Sequence, residues 1–329
     1  MVLIKISGRR EDADEIKSFK TYSNYLQSVK NFIISEYGDA PKCFESINCK
    51  LLAKDSFSKI QTNSNLDIEK LKKLLFNSWH TELVFNLPFS FDPSFTQYSN
   101  HWAPIQAYYS IFLSIRAFFI SSNIICEKTH NTTLAKISNI IRERDLFMSP
   151  WNAYCKGLKQ LKNVSYENIS GEIKEISNLS TPRLEDFWSW YGMLLRTTRD
   201  RQHKGRREEI LHRWKTRNGK RRKRLPKNRT DKIEKRMHAT TFFDGMYRLR
   251  IRSNYEDADS FILGTMTSEE AETFYKSIYM ILGTTLFIFE NLIAKYIGKE
   301  KFVDILNDFV NSVPDDTINK TIKLRRDYF

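Results

Sequence analysis

The sequence predicts an all-α fold, and three observations carry that prediction. Glycine and proline number only eleven and eight in 329 residues, too few for the turns of an all-β chain. Apolar residues recur at helical spacing in successive segments. Helix starts are marked by capping hydroxyls followed by early acids or first-turn prolines. With 41% hydrophobic and 13% aromatic residues, the chain has enough apolar surface for one large or two medium cores.

The elements follow in order. KSFKTYSNYLQSVKNFIISEY, containing Phe32, Ile33 and Ile34, reads as a helix. LDIEKLKKLLFNSWHTELVF reads as another, with Leu71, Leu74, Leu75, Ser78 and Trp79 at helical spacing and His80 as a packing or capping residue. NLPFSFDPSF, with Pro88 and Pro93, marks a boundary. Ser99 or Asn100 is placed to cap the next helix, and Pro104 suits its first turn. That helix, IQAYYSIFLSIRAFFISSN, is apolar around most of its surface and is expected at the centre of the core. Its Arg116 must be paired, or must face an anion or a subunit interface. LAKISNIIRERDLF is a further amphipathic helix.

Residues 151–182 are mixed, with a weak helical signal in GEIKEISN. Ser180, Thr181, Pro182 and Glu185 form a helix start, and RLEDFWSWYGMLLRTTRDRQH follows with Phe187, Trp190, Tyr191, Leu194 and Leu195 for burial. TSEE at Thr267–Glu270 opens a long helix from about Ser268 to Ile297, which Gly298 is placed to end. Glu290, Asn291 and Lys295 interrupt its apolar run, so a buried core helix is expected rather than a membrane span. KFVDILNDFVNSV is the last helix. The polar, basic tail TINKTIKLRRDYF is expected to be poorly ordered. The predicted organisation is a helical region over residues 1–95, two parts of one bundle at 96–150 and 241–314, an insertion at 151–240 and a tail at 315–329.

Basic charge is confined to one block. Arg196 to Arg236 holds 19 Lys+Arg against 5 Asp+Glu, a local +14 that equals the formal charge of the whole chain and leaves 34 of each sign elsewhere. Such a block predicts a polyanionic partner, with nucleic acid ahead of acidic lipid, because each neutralised phosphate releases counterions. A solvated basic loop is the plain alternative. Four cysteines (Cys43, Cys49, Cys126 and Cys155) match no paired zinc spacing and predict a reducing, cytoplasmic setting. The first residues lack an apolar run of signal-peptide length. No glycine-rich phosphate loop, HExxH motif or nucleophile elbow is present, and neither cofactor nor metal is expected.

Three pieces together resemble the HEPN superfamily of helical-bundle domains. They are AYYSIFLSIRAFF (Ala107–Phe119), EKTHNTTLAKI with its Lys128-Thr129-His130 turn, and LRIRSNYEDADSF followed by TSEEAETFY. The resemblance covers residues 97–145 and 240–300, with the basic block as an insertion between them. It implies a homodimer acting on RNA, typically as a metal-independent endoribonuclease of a defence or toxin–antitoxin system, with a cognate antitoxin or defence partner. A non-catalytic module binding nucleic acid or a partner protein is the alternative. The family signature is an Arg followed by His after four to six residues on one helix. In that chemistry an RNA 2′-hydroxyl attacks its own phosphate, His moves the proton and Arg stabilises the phosphorane charge.

Arg196 and His203 fit that spacing and share a helical face, with Arg199 between them, and form the first catalytic candidate. Arg207 and His212 are the second, provided the helix continues past Gly205. The phosphate-binding set is Arg199, Arg207, His212, Trp214 as a stacking platform, Lys220, Arg221, Arg222, Lys223 and Arg224, and then Arg248, Arg250, Arg252, Asn254 and Tyr255. At the family's own motif position, Ser253 or Asn254 stands where an active member carries His. His130 could supply that imidazole, although a helix-end cap is its simpler role.

Overall fold

Two apolar helices frame the structure, a computed structural model that describes residues 13–92, 95–157, 164–167, 173–176, 186–214, 224–256, 258–262, 267–313 and 320–329. The first is α6 (Ala103–Ser121), and the second is α12 (Ser268–Ile297). Both are long and apolar enough to cross a membrane, but 67% and 89% of their apolar windows are buried within the protein, as befits core helices. The expected limits of α12 hold: Thr267 Oγ1 accepts from Glu270 N, and Gly298 follows its last turn at φ +92°. Pro104 lies in the first turn of α6. Neither Ser99 nor Asn100 caps that helix; its N-cap is Trp102, and Asn100 Nδ2 instead donates to the Ala271 carbonyl of α12.

Around this pair pack α1 (Ala13–Tyr37), α2 (Lys42–Leu52), the short α3 (Asp55–Ser58), α4 (Ile68–Phe91) and the single-turn α5 (Thr96–Ser99). The core is continuous across the boundary expected near residue 95: Trp79 and Phe85 of α4 share it with Phe118 of α6 and Phe289 of α12. Helix α4 also runs through Pro88 rather than ending there. α7 (His130–Glu143) follows, with α8 (Phe187–Arg213), α9 (Lys227–Arg236) and α10 (Phe242–Ile251) beyond it. A π-helical turn (Arg252–Glu256), α11 (Ala258–Ile262) and α13 (Lys299–Ser312) complete the order to residue 312.

The fold is mostly helical, with one correction. A small antiparallel sheet runs in the order β3-β2-β1-β4, from β1 (Ala153–Cys155), β2 (Val164–Glu167), β3 (Ile173–Ile176) and β4 (Thr240–Thr241). GEIKEISN therefore holds a strand: its IKEI pairs antiparallel with VSYE, and cross-strand bonding overrides the weak helical preference of Lys and Glu. The helix start at Ser180–Glu185 lies outside the described residues. The observed α8 begins after Asp186, whose carboxylate accepts from Ser189 N.

The tail supplies the second correction. Lys320–Arg326 form α14, and Arg325 is fully buried. Its Nη1 and Nη2 donate to the two carboxylate oxygens of Glu82 on α4 at 2.6 and 2.7 Å. Its Nε and Nη2 donate to Glu290 on α12 at 2.8 and 2.9 Å, and Trp79 Nε1 donates to Glu290 at 2.8 Å. Burial pushes the Glu82 carboxyl up; Arg325 opposes that push, and Glu290 adds to it.

Removing Arg325 leaves two buried carboxylates uncompensated. Arg325→Met is expected to cost about 3–5 kcal/mol in denaturant unfolding, and adding Glu82→Gln and Glu290→Gln should recover much of that loss.

Candidate nucleic-acid interface

Helix α8 continues through Gly205 to Arg213, so the first part of the basic block is one continuous helix. Its residues divide by face. Arg206, Arg207, His212 and Arg213 are exposed, and Trp214 is the half-buried C-cap. Arg224 is exposed too, whereas Lys220, Arg221, Arg222 and Lys223 lie outside the described residues.

Arg199, in the middle of the Arg196–Arg199–His203 stripe, faces inward, toward the small sheet. Arg199, expected to contact phosphate, is buried: its Nε donates to the Gly157 carbonyl at 2.9 Å and its Nη1 to the His238 carbonyl at 2.6 Å. This guanidinium ties α8 to the chain beside β1 and β4, and protein carbonyls occupy the place a phosphate would take. Arg196 and His203, on either side of it, are half-buried. Nearby Cys155 is a buried thiol pushed up to about 11 by desolvation, which Arg199 and Arg196 offset only in part.

Beside this stripe lies a polar network that the sequence reading missed. Asp244 is buried and accepts from Thr241 N at 2.8 Å, Thr241 Oγ1 at 3.0 Å and Gln202 Nε2 at 2.6 Å, and His238 Nε2 stands 2.8 Å from it. Thr240 Oγ1 donates to Gln202 Oε1 at 2.7 Å. The signal was present as Thr241-x-x-Asp244, a capping-box pattern that starts α10. Thr240 and Thr241 are completely buried, so the pairing of His238 with Asp244 holds the α8–β4 junction rather than activating a hydroxyl.

The three arginines of LRIRSN do not form one clamp. Residues two apart on an α-helix point about 200° apart, so Arg248 and Arg250 face opposite sides of α10, and Arg252 opens the π-helical turn. Arg248 turns inward, where its Nη1 donates to Thr197 Oγ1 at 2.7 Å and its guanidinium lies 5.5 Å from the Tyr22 ring. Arg252 Nε pairs with Glu256 at 3.0 Å, and Glu256 also takes Arg201 of α8. Asp257, next in the chain, lies outside the described residues.

Arg250 takes a third direction, into an aromatic cluster. Its Nη2 donates to Tyr109 Oη at 2.7 Å, and its guanidinium lies 5.3 Å from the Tyr109 ring and 5.3 Å from the Tyr255 ring. Arg250 Nε is buried without an acceptor among the described residues. His130 closes the cluster. Its Nδ1 is 2.9 Å from Tyr108 Oη, and its ring packs on Phe112 and stacks on Tyr247. His130 is not the helix cap, because Thr129 Oγ1 accepts from Thr132 N in that role. Burial lowers the His130 pKa, and the Arg250 charge lowers it further. With Nδ1 engaged by Tyr108, Nε2 is the ring nitrogen left to exchange a proton with a ligand. Asn254 is half-buried, and Tyr255 is 68% exposed at the rim.

Arg116 is paired within the chain, as one of its expected alternatives allowed: its Nη1 donates to the Glu127 carbonyl at 2.8 Å. Among the described residues no cluster of His, Cys, Asp and Glu could hold a metal ion.

Compared with known proteins, this chain matches no family model, no curated protein and no solved structure. The cluster is therefore read from its own chemistry. It joins a fixed cation, a neutral imidazole and an exposed aromatic ring, contributed by α6, α7, α10 and the π-helical turn.

A depressed histidine pKa adds stability above the unfolded value, and that stability is lost as pH falls through the folded value. His130 should titrate below 6.5 in a proton NMR pH series. His130→Phe should be less acid-sensitive than the wild type below that pH in parallel melts.

Proposed function

We propose that this chain acts on single-stranded RNA as a HEPN-like helical-bundle protein and cleaves it without a metal at the His130–Arg250 cluster. The observation that supports this most directly is Arg250 itself. A partly buried guanidinium with an unclaimed Nε–H, beside a neutral imidazole, has the donor a phosphate oxygen needs and the proton acceptor a 2′-hydroxyl needs. Tyr255 offers a ring for base stacking, and the exposed arginines of α8 supply salt-sensitive hold on the backbone.

This reading moves the acting site from Arg196 and His203 to Arg250 and His130. The first pair keeps the right spacing, but Arg199 between them is held by the Gly157 and His238 carbonyls. Asn254 and Ser253 need no imidazole if His130 supplies it from the neighbouring helix. The non-catalytic binding module remains as a second reading. It is favoured by the engagement of His130 Nδ1 with Tyr108 and by the rings packed around the imidazole.

Cleavage of a mixed single-stranded RNA in EDTA separates the two. The wild type should cut, and His130→Ala should lose on the order of 10²- to 10⁴-fold in rate while retaining binding. Arg250→Ala should lose both rate and affinity, and His203→Ala neither, with circular dichroism checking the fold of each variant. Salt-dependent binding without cleavage by the wild type would leave the binding module. A loss confined to His203→Ala would return the site to α8.

A further inference from the structure

On the side of the core formed by α2, α4, α12 and α14 lies a cleft of about 540 Å³, within the size range of small-molecule sites. Its walls are Phe44, Phe89, Tyr279 and Met280, with exposed Pro41 and Lys320 at its rim. None of these residues takes part in the RNA reading above.

Three features mark it as a built site. Asn86 lines the cleft, is 5% exposed, and its Oδ1 is buried without a hydrogen-bond partner among the described residues. An amide oxygen in that condition costs about 1–3 kcal/mol unless something donates to it. The second feature is Gly283, in the middle of the 30-residue α12. A Cβ there would meet Thr321 Cγ2 at 3.7 Å and Phe44 Cζ at 3.9 Å, both ordinary contacts. Alanine would thus fit and would favour the helix, so the glycine leaves the cleft wider than packing requires. The third is aromatic: Phe89 stacks on Tyr279 with ring centroids 6.0 Å apart, and Lys276 Nζ lies 5.9 Å from the Phe89 ring.

We propose that this cleft binds a small aromatic anion carrying an N–H donor. The ring lies against Phe44, Phe89 and Tyr279, the N–H serves Asn86 Oδ1, and the anionic group faces Lys320. One wall is α14, so an occupant also bridges the last helix to α2 and α4.

Anilinonaphthalene sulfonate combines the three required groups and reports its own binding by fluorescence. Titrated into the full folded chain, it should saturate at one probe per chain. Gly283→Leu fills the cleft from α12 and should abolish that signal with no loss of thermal stability. Asn86→Leu keeps the volume, removes the acceptor and should weaken binding about tenfold, the worth of one hydrogen bond. Failure of the folded wild type to bind, or binding left unchanged by Gly283→Leu, would overturn the proposal. Neither result bears on RNA cleavage, which is read separately.

Discussion

The fold depends on one buried charge. Glu82 on α4 and Glu290 on α12 face each other inside the core, and together they need a cation that neither helix provides. Arg325, four residues before Phe329, supplies it with two hydrogen bonds to each carboxylate, and Trp79 Nε1 donates a further one to Glu290. Such a triad adds little net energy over apolar packing, but it penalises every arrangement that leaves a carboxylate alone. The register of α4 against α12, and the docking of α14 on both, are fixed by the same guanidinium.

That constraint explains what the sequence could and could not convey. The limits of α12 were legible because TSEE and Gly298 are local signals whose physics acts within one turn. The core position of α6 was legible from its apolar circumference. The docking of α14 was not: in TIKLRR the arginine that enters the core reads like its neighbours, and its partners lie 35 and 243 residues away. The sheet was hidden for a related reason. Strands of two to four residues are too short to show an alternating pattern, and their pairing is decided by distant partners.

The same contrast runs through the candidate site. A count of basic residues marks a block but cannot sort its members, and the structure sorts them sharply. Arg199 is a structural tie to two carbonyls, Arg201 is held by Glu256, and Arg206 and Arg207 stand in solvent. Spacing along one helix brought Arg196 and His203 together in the sequence reading. Tertiary packing instead brings together Tyr109, His130 and Arg250 from three helices. The KTH turn and the tyrosine pair were visible as motifs, but their convergence on Arg250 required the fold.

In the proposed reading, the chemistry of that cluster is divided between two side chains. A guanidinium cannot release its proton near neutral pH, so Arg250 is a fixed charge and donor. The imidazole beside it is kept neutral by burial and by that same charge, so it is available to accept a proton and does not compete for the anion. A protonated His130 would be repelled by the Arg250 charge. In the proposed reading, the positive charge sits on one group and the proton exchange on the other. The tyrosine rings that desolvate both groups strengthen this separation, because charge interactions gain weight where water is excluded.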